Sequence, residues 1–376
     1  YRYFQTIAML IILAMLAGCA RLKSIPSLDA DGRLPKSSYY EKTVHYGTTR
    51  VDKYSSQSLI IANEDRARNL YRLNTGNKGR NSVKYGRAKV KIPYIKEVGG
   101  TSGMTLTHLD HDIGWNDFIS TILKDDLLIF IHGFKTTFTN AAIRCAQLAH
   151  DTNFKGEAVF YSWPSAGKFY KYGKDRKQAK DNFELFADFI HDIASRTDKN
   201  IHIVAHSMGA YILMNSLAIL DQRIKEDDSI LESRRRKHNG EIFDQIILAA
   251  PDIAKSDFRQ LFLGLDFTKI AHKLTLYSAN NDYVLKLSKI ANYFITNTGE
   301  DRVGDSSESF FLINDVETVD TRQEIPPQFF GHSFYAEYRS LISDMYILLN
   351  YGTEPDDRML QKVADKDNRI LWLIRD

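Results

Sequence analysis

The length, composition and charge of the chain describe a protein with a large folded core. It has 376 residues, of which 43% are hydrophobic and 12% aromatic. That is enough for one large domain or two ordinary ones, and it excludes a disordered protein. The 50 Lys and Arg residues nearly balance the 47 Asp and Glu residues, which leaves a formal net charge of +3. This balance gives no electrostatic reason to expect a nucleic-acid partner, so partners must be inferred from individual sites.

The first residues have the pattern of an export signal. Arg2 precedes an apolar run from Ile7 to Leu16, and Ala17-Gly18-Cys19 follows it. As a helix, this run would extend about 15 Å, whereas the hydrocarbon core of a bilayer is about 30 Å thick. The run is therefore too short to span a membrane, and residues 1–19 are predicted to be a signal peptide.

The Leu-Ala-Gly-Cys ending resembles a bacterial lipobox, in which the cysteine thiol is acylated and cleavage leaves that cysteine at the mature N-terminus. The resemblance implies a lipid anchor of the palmitate type on Cys19 in the cell envelope. Ala20, rather than Asp, then implies the outer membrane, with the protein facing the periplasm. The alternative is an ordinary signal peptide whose cleavage site contains a cysteine.

The remaining cysteine is Cys145, within a segment from Asn140 to Ala146 that is predicted to be helical. An intramolecular disulfide is impossible once Cys19 carries lipid. We expect Cys145 to be a small buried apolar residue, and a reactive thiol is the minor alternative.

The chain is expected to contain one main domain over residues 42–350. Residues 20–41 carry prolines and serines without apolar periodicity, which predicts a tether between the lipid and the domain. Residues 351–376 are expected to be a C-terminal extension. Near the start of the domain, Val44–Thr48 and Ala88–Pro93 are predicted to be strands.

From residue 127 onward, short unbroken apolar runs alternate with amphipathic segments. Such runs are typical of parallel strands that are buried on both faces. An amphipathic helix is predicted over Gln178–Arg196. This alternation predicts an α/β fold with a mostly parallel, doubly wound sheet, whose sites lie at the carboxyl ends of the strands. The predicted strands are Leu127–His132, Glu157–Tyr161, Ile201–Ala205, Phe243–Ala249 and Lys273–Tyr277.

The segment from Gln222 to Gly240 interrupts this alternation with the basic run Arg234–Lys237. We interpret it as a solvated insertion. Contact with anionic lipid is the alternative, because clustered basic side chains are attracted to such surfaces.

A nucleophile elbow is predicted at Ser207. The strand ending at Val204 is followed by Ala205-His206-Ser207-Met208-Gly209 and then by a helical segment. This is the Gly-x-Ser-x-Gly pattern with Ala in the first position, and it occurs between a strand and a helix, as the motif requires. Small residues two positions before and after the serine permit the sharp turn that presents the hydroxyl to a substrate. Alone, the five residues are weak evidence, and a surface serine in an ordinary turn is the alternative.

A predicted oxyanion hole lies after the first strand of this series, which ends in His132-Gly133-Phe134. In α/β-hydrolases, the corresponding loop donates a backbone N–H to the oxyanion, and a glycine lets the backbone approach the substrate. The expected donors are the N–H groups of Phe134 and Met208.

The order of residues in this fold is serine, acid, histidine, so the base must follow Ser207. Only His238, His272 and His332 do so. His238 lies in the charged insertion and His272 begins a strand, which leaves His332 in a loop before a helix.

Asp252 and Asp282 are the two candidates for the acid, since each follows an apolar strand, although either residue can instead cap a helix. If the strand at 127 is the third of the fold, Asp282 follows the seventh, where the acid usually lies. Asp252 would then brace a loop beside the site.

Several motifs in order resemble the bacterial serine-esterase-like α/β-hydrolases known as domain of unknown function 900. The resemblance covers roughly residues 43–345, and Ala is usual in that family at the first position of the elbow. The matching stretches include Tyr46–Arg50, Phe130–Phe134, Arg144–Leu148, Ser162–Ser165, Ala205–Gly209, Ala249–Asp252 and Gly331–Ser333.

The resemblance implies a serine hydrolase with a catalytic triad, acting on a small-molecule or lipid ester, and it defines no substrate. With the acid placed by the strand count, the predicted triad is Ser207, Asp282 and His332. The loop Ser162–Ser165 is expected either to form a wall of the pocket or to place a buried Trp163 in support of the elbow. No group of ligating residues has metal spacing, so neither a metal nor an organic cofactor is expected. The alternative function is a non-catalytic envelope lipoprotein that uses the fold as a binding module.

Overall fold

The computed structural model describes residues 38–52, 58–61, 71–72, 82–168, 171–235, 240–279, 285, 288–289, 300–321 and 333–374. Within these ranges the chain forms one large sheet of twelve strands and a separate pair of short strands. The strands are β1 (Tyr39–Thr48), β2 (Val51–Asp52), β3 (Ser58–Ile60), β4 (Tyr71–Arg72), β5 (Lys84–Pro93), β6 (Thr105–Ile113), β7 (Asp126–Ile131), β8 (Glu157–Ser162), β9 (Asn200–His206), β10 (Phe243–Ala249), β11 (Ala271–Ser278), β12 (Glu317–Asp320), β13 (Leu360–Ala364) and β14 (Ile370–Ile374).

Helices connect most of the parallel strands. Two short 3₁₀ helices, Phe334–Ala336 and Pro355–Asp357, lie on either side of the last α-helix. The α-helices are α1 (Trp115–Ser120), α2 (Phe138–Asp151), α3 (Tyr172–Lys180), α4 (Phe183–Arg196), α5 (Met208–Glu226), α6 (Ser229–Arg235), α7 (Lys255–Gly264), α8 (Phe267–Ile270) and α9 (Arg339–Tyr351).

The strand order in the large sheet is β13-β14-β12-β11-β10-β9-β7-β8-β1-β5-β6-β3. The eight consecutive strands from β14 to β1 in this order are parallel to one another. β13 at one end, and β5, β6 and β3 at the other, pair antiparallel. The predicted α/β-hydrolase fold, a mostly parallel sheet with helices, is thereby confirmed. In a parallel sheet the carboxyl ends of the strands share one edge, and the loops after β1, β7, β8, β9, β10 and β11 meet there.

The five strands predicted from residue 127 onward are all present, with bounds shifted by at most two residues. They were recognisable because both faces of these strands are covered. The central residues Leu128, Ile203 and Ile247 have no exposed surface. Two hydrophobic clusters, one on each side of the sheet, form the core.

The predicted helix Gln178–Arg196 is wrong at its start, because residues up to Lys180 belong to α3 and α4 begins at Phe183. The break lies at Asn182, whose side-chain oxygen accepts hydrogen bonds from Thr49 Oγ1 at 2.7 Å and Tyr161 Oη at 2.9 Å. These long-range bonds hold Asn182 against β8 and β1, and helical periodicity carries no sign of them.

The expected flanking segments are described in part. β1 begins at Tyr39, within the expected tether, and β13 and β14, from the expected C-terminal extension, join the large sheet. The signal peptide and Cys19 lie outside the described residues. None of the described helices has the length and apolarity needed to cross a bilayer.

Two predictions outside the sheet have different outcomes. Cys145 lies on α2 with no exposed surface, so it is the buried apolar residue that we expected. Burial raises the pKa of its thiol well above the ordinary value, which disfavours the reactive thiolate. In the charged segment, α5 continues to Glu226 and α6 follows, while the basic run Arg234–Lys237 falls largely outside the described residues.

Candidate active site

The turn at Ser207 has the geometry of a nucleophile elbow. Ser207 lies between the end of β9 and the first residue of α5, and its backbone has φ 54° and ψ −119°. A positive φ is unfavourable for a residue with a Cβ, and such strain persists only where the surroundings impose it. Here the Ser207 N–H donates to Ala249 O at 2.9 Å, and Ser207 O accepts from the N–H groups of Asp252 and Ala210. Strands β9 and β10 and helix α5 therefore hold the turn together.

Close backbone contacts explain two glycines of the site. A Cβ at Gly209 would lie 2.6 Å from Ile131 O and 2.7 Å from His132 O, so any larger residue would push α5 away from the end of β7. A Cβ at Gly133 would lie 2.9 Å from Ser207 Cβ and 2.8 Å from His206 Nδ1. The loop after β7 thus passes directly beside the nucleophile.

The two predicted oxyanion donors are both adjacent to this contact. Phe134 follows Gly133 in the loop, and Met208 is the first residue of α5, where the partial positive charge of the helix N-terminus is concentrated. Their N–H groups therefore belong to the two backbone segments that meet at Ser207. Such an arrangement suits the stabilisation of a negative oxygen. The roles of Phe134 and Met208 remain predictions.

Trp163 supports the loop after β7 rather than facing a pocket. It has no exposed surface, its indole Nε1 donates to His132 O at 2.8 Å, and its ring stacks on the His132 ring at 5.1 Å between centroids. Of the two interpretations of the Ser162–Ser165 loop, the buried supporting tryptophan is therefore the correct one, although the contact is with the oxyanion loop.

Asp252 is buried in a polar cluster behind the elbow. One carboxylate oxygen accepts a hydrogen bond from Tyr172 Oη at 2.8 Å, and the other accepts from Ser288 Oγ and lies 3.2 Å from Arg302 Nε. Arg176 donates to the main-chain oxygen of Asp252. Burial alone would raise the pKa of Asp252, but the guanidinium groups of Arg302 and Arg176 bring it below its ordinary value. Asp252 is therefore a charged residue that braces the loop after β10.

This cluster reaches the oxyanion loop through Tyr172. The Tyr172 ring packs edge-on against the Phe134 ring at 5.5 Å between centroids, while its hydroxyl contacts Asp252. Helix α3, which begins at Tyr172, thus covers the side of the site between the loops after β7 and β10.

Asp282 and His332 lie outside the described residues. Asp282 follows β11, and His332 follows β12 and precedes the 3₁₀ helix Phe334–Ala336. Both of the preceding strands end at the edge of the sheet where Ser207 lies. Neither their distance from Ser207 nor their role is described, so both stay predictions.

Asp320, which the sequence analysis missed, is a buried acid at the same edge. It ends β12, and Ser278 Oγ donates to its carboxylate at 3.4 Å. Its signal in the sequence is weak because β12 has only four residues, and Val319 is the one apolar residue among them. Within the described residues, no group of three or more His, Cys, Asp or Glu side chains could hold a metal ion.

The comparison with family models finds a family that matches more than half of the chain. The model described as "Alpha/beta hydrolase of unknown function (DUF900)" matches residues 111–349, which include the elbow, the oxyanion loop and His332. An uncharacterized protein of Nostoc sp. strain PCC 7120 is 30% identical over 115 residues, covering 28% of this chain and 30% of that protein. This chain thus spans less than a third of that relative's length.

Two solved structures are similar only at low scores. An alpha-beta serine hydrolase homologue from Coxiella burnetii has a TM-score of 0.29 and 14% identity, covering 72% of this chain and 93% of that one. An acylaminoacyl peptidase from Pyrococcus horikoshii has a TM-score of 0.33 and 12% identity, covering 83% of this chain and 41% of that one. The fold assignment therefore rests on the strand order and the family match.

Proposed function

Since this chain belongs to the DUF900 family of alpha/beta hydrolases, we propose that it is a serine hydrolase that cleaves ester bonds with Ser207 as the nucleophile. The observation that carries this proposal is the backbone of Ser207, held at φ 54° at the end of β9, with the loop after β7 so near that a Cβ on Gly133 would lie 2.9 Å from Ser207 Cβ. A structural serine gains nothing from such a turn, whereas a nucleophile needs it to meet both a substrate and oxyanion donors.

The proposed reaction is acyl transfer to water. His332 takes the proton of the Ser207 hydroxyl while the oxygen attacks the ester carbonyl, and Asp282 orients the imidazole. The N–H groups of Phe134 and Met208 stabilise the negative oxygen of the tetrahedral intermediate. The alcohol leaves with a proton from His332, and water then cleaves the acyl-enzyme by the same steps.

Labelling with a fluorophosphonate probe tests this proposal against a non-catalytic binding module. The probe reacts only with an activated serine, so we expect covalent labelling of the wild type and none of Ser207→Ala. Mass spectrometry of the labelled peptide should place the adduct on Ser207. A folded wild type that shows no labelling at any probe concentration would favour the binding module instead.

We further propose that Cys19 carries diacylglycerol and holds the mature protein at the outer membrane, facing the periplasm. The support is the lipobox-like sequence before Ala20. One acyl chain alone gives only marginal membrane binding, whereas a diacylated cysteine gives a stable anchor.

Membrane fractionation tests this anchor. The wild type should sediment with membranes and Cys19→Ser should not, and the mature wild-type mass should exceed the peptide mass by the lipid. Cys145→Ala is the matched control, because it removes a buried cysteine and should leave the protein in the membrane fraction. A Cys19→Ser variant that still sediments, together with a wild-type mass free of lipid, would mean that something else anchors the protein.

A further inference from the structure

Arg50 connects three loops at the edge of the sheet that carries Ser207. It follows β1, is only 6% exposed, and lies outside residues 111–349, which match the family model. Its Nε donates to Ser162 Oγ at 2.8 Å, its Nη1 to Ser165 O at 3.1 Å and its Nη2 to Thr136 O at 2.8 Å. One buried side chain therefore joins the oxyanion loop after β7 to the loop after β8.

Asp175 on α3 holds the same two loops from the other side. Its carboxylate accepts hydrogen bonds from Ser165 Oγ at 2.5 Å and from Ala166 N at 2.7 Å. Burial raises the pKa of Asp175, and these donors and the backbone N–H of Lys135 oppose that increase. Lys135 has a positive φ of 62°, a strained conformation for a side chain with a Cβ. Ser165 Oγ also accepts from Thr136 N at 3.2 Å, which closes the network between Asp175 and Arg50.

The opposite end of the oxyanion loop is fixed by His132 and Gly133. His132 Nδ1 donates to Gly133 O at 2.9 Å, and Arg50 Nη2 lies 3.5 Å from His132 Nε2. Burial and the charge of Arg50 lower the pKa of His132 to about 3, so its ring is neutral and its Nε2 faces the guanidinium as an acceptor. The loop thus contacts Ser207 on one side and this polar network on the other.

We propose that Arg50 is a positioning residue of the oxyanion hole, which, together with Asp175, fixes the backbone around Phe134 at the distance from Ser207 that the tetrahedral intermediate requires. The proposal rests on the serine hydrolase function proposed above. Arg50 touches no substrate in this role; it acts only through the main chain of the loop.

Lysine cannot replace arginine at this position. The guanidinium presents donors in a rigid plane and reaches Ser162, Ser165 and Thr136 at once, whereas an ammonium is a single point on a flexible stem. Arg50→Lys keeps the positive charge and loses the planar group that donates to three acceptors. Since loss of one oxyanion donor lowers kcat by about 10²–10³-fold, we expect a displaced donor to lower kcat by about 10–100-fold. We expect KM to change by less than about threefold, because ground-state binding does not use the hole.

The experiment compares full-length wild type and Arg50→Lys in two measurements. The first is kcat and KM with a short p-nitrophenyl ester. The second is the affinity of a trifluoromethyl ketone, which forms a tetrahedral adduct with its oxygen in the hole, beside the affinity of the product carboxylate. We expect the ketone affinity to fall in parallel with kcat/KM and the product affinity to stay unchanged, a pattern that loss of stability does not produce.

Arg358→Lys is the matched control. Arg358 has no exposed side-chain surface and pairs with Glu317 and Asp344. Glu317 lies on β12, four strands from β7 in the sheet order, which corresponds to roughly 19 Å across the sheet. This control should lower the melting temperature with kcat unchanged. If Arg50→Lys fails to fold, Ser165→Ala provides the second variant, because it removes the oxygen shared by Asp175 and Thr136 and should give the same kinetic pattern.

The outcomes separate this inference from the function on which it rests. If the wild type neither hydrolyses esters nor reacts with the fluorophosphonate, the proposed function fails and the role of Arg50 falls with it. Suppose instead that the wild type does both, and that the folded variants keep the wild-type kcat or differ from the wild type only in KM. The serine hydrolase function then stands, and the positioning role of Arg50 is overturned.

Discussion

Ser207→Ala is expected to fold like the wild type and to lose hydrolysis of short p-nitrophenyl esters. Alanine keeps the Cβ and the same backbone strain at φ 54°, so the melting temperature should change little. Removing a serine nucleophile lowers kcat by roughly 10⁴-fold or more in serine proteases, and a comparable loss is expected here. Steady-state kinetics on protein with a matched circular-dichroism spectrum measures this loss.

Ser216→Ala is the control for this variant. Ser216 is buried on the same helix, α5, where its Oγ donates to Phe183 O at 2.7 Å, away from the loop after β7. Its activity should stay near that of the wild type. If Ser207→Ala keeps more than about a tenth of wild-type kcat, a loss far too small for a triad member, Ser207 has no part in the mechanism.

Asp282→Asn is expected to reduce turnover far more than Asp252→Asn does. The triad acid holds the histidine in its correct tautomer, and in a serine protease its replacement by Asn lowers kcat by about 10⁴-fold. Asp252 is poorly suited to that task, because both of its carboxylate oxygens contact Tyr172, Ser288 or Arg302 among the described residues. Asp282 follows β11, the seventh strand when β7 is the third.

Stability must be separated from catalysis in this comparison. Asp252→Asn leaves Arg302 buried without its carboxylate, which typically costs about 3–5 kcal/mol, so we expect a lower melting temperature with kcat largely retained. Asp320→Asn is the second comparison, since it removes another buried acid at the same edge. Should Asp252→Asn be the more damaging to kcat when only folded protein is counted, the acid follows β10 and the strand count does not locate it.

The central strands could be predicted because burial on both faces makes every position of a short stretch of sequence apolar. Leu127–Ile131 or Ile246–Ala249 are apolar at every position, since both faces of each strand are covered. β12 and β13 carry no such signal, whereas β14 is an apolar run from Ile370 to Ile374 that we expected only to be part of the C-terminal extension. β12 is four residues long and begins with Glu317, which pairs with the distant Arg358. Tertiary contacts, rather than local pattern, make β12 into a strand.

The elbow could be predicted because its pentapeptide lies between an apolar strand and a helix, as the motif requires. The strained turn at Ser207 and the close approach of Gly133 follow from small residues beside a strand. The network of Arg50 and Asp175 could not be predicted. Arg50 contacts residues 82 to 115 positions away along the chain, and Asp175 looks like one more charge on a basic helix. Periodicity reports which face is buried; it does not report which distant carbonyl a long polar side chain reaches.

The position of β1 in the middle of the large sheet has a consequence for how the chain folds. β1 can pair with β5 as a nearby antiparallel partner, but its other neighbour is β8, and the register joins His45 to Val159 across more than a hundred residues. Closing such a loop costs about 4 kcal/mol in chain entropy beyond a constant, so high-contact-order pairing of this kind forms slowly. Until it forms, the edge of β8 is open to pairing with another chain, and the guanidinium of Arg50 has not reached its acceptors. Pairing of β1 with β8 is thus needed both for the continuity of the sheet and for the support of the oxyanion loop.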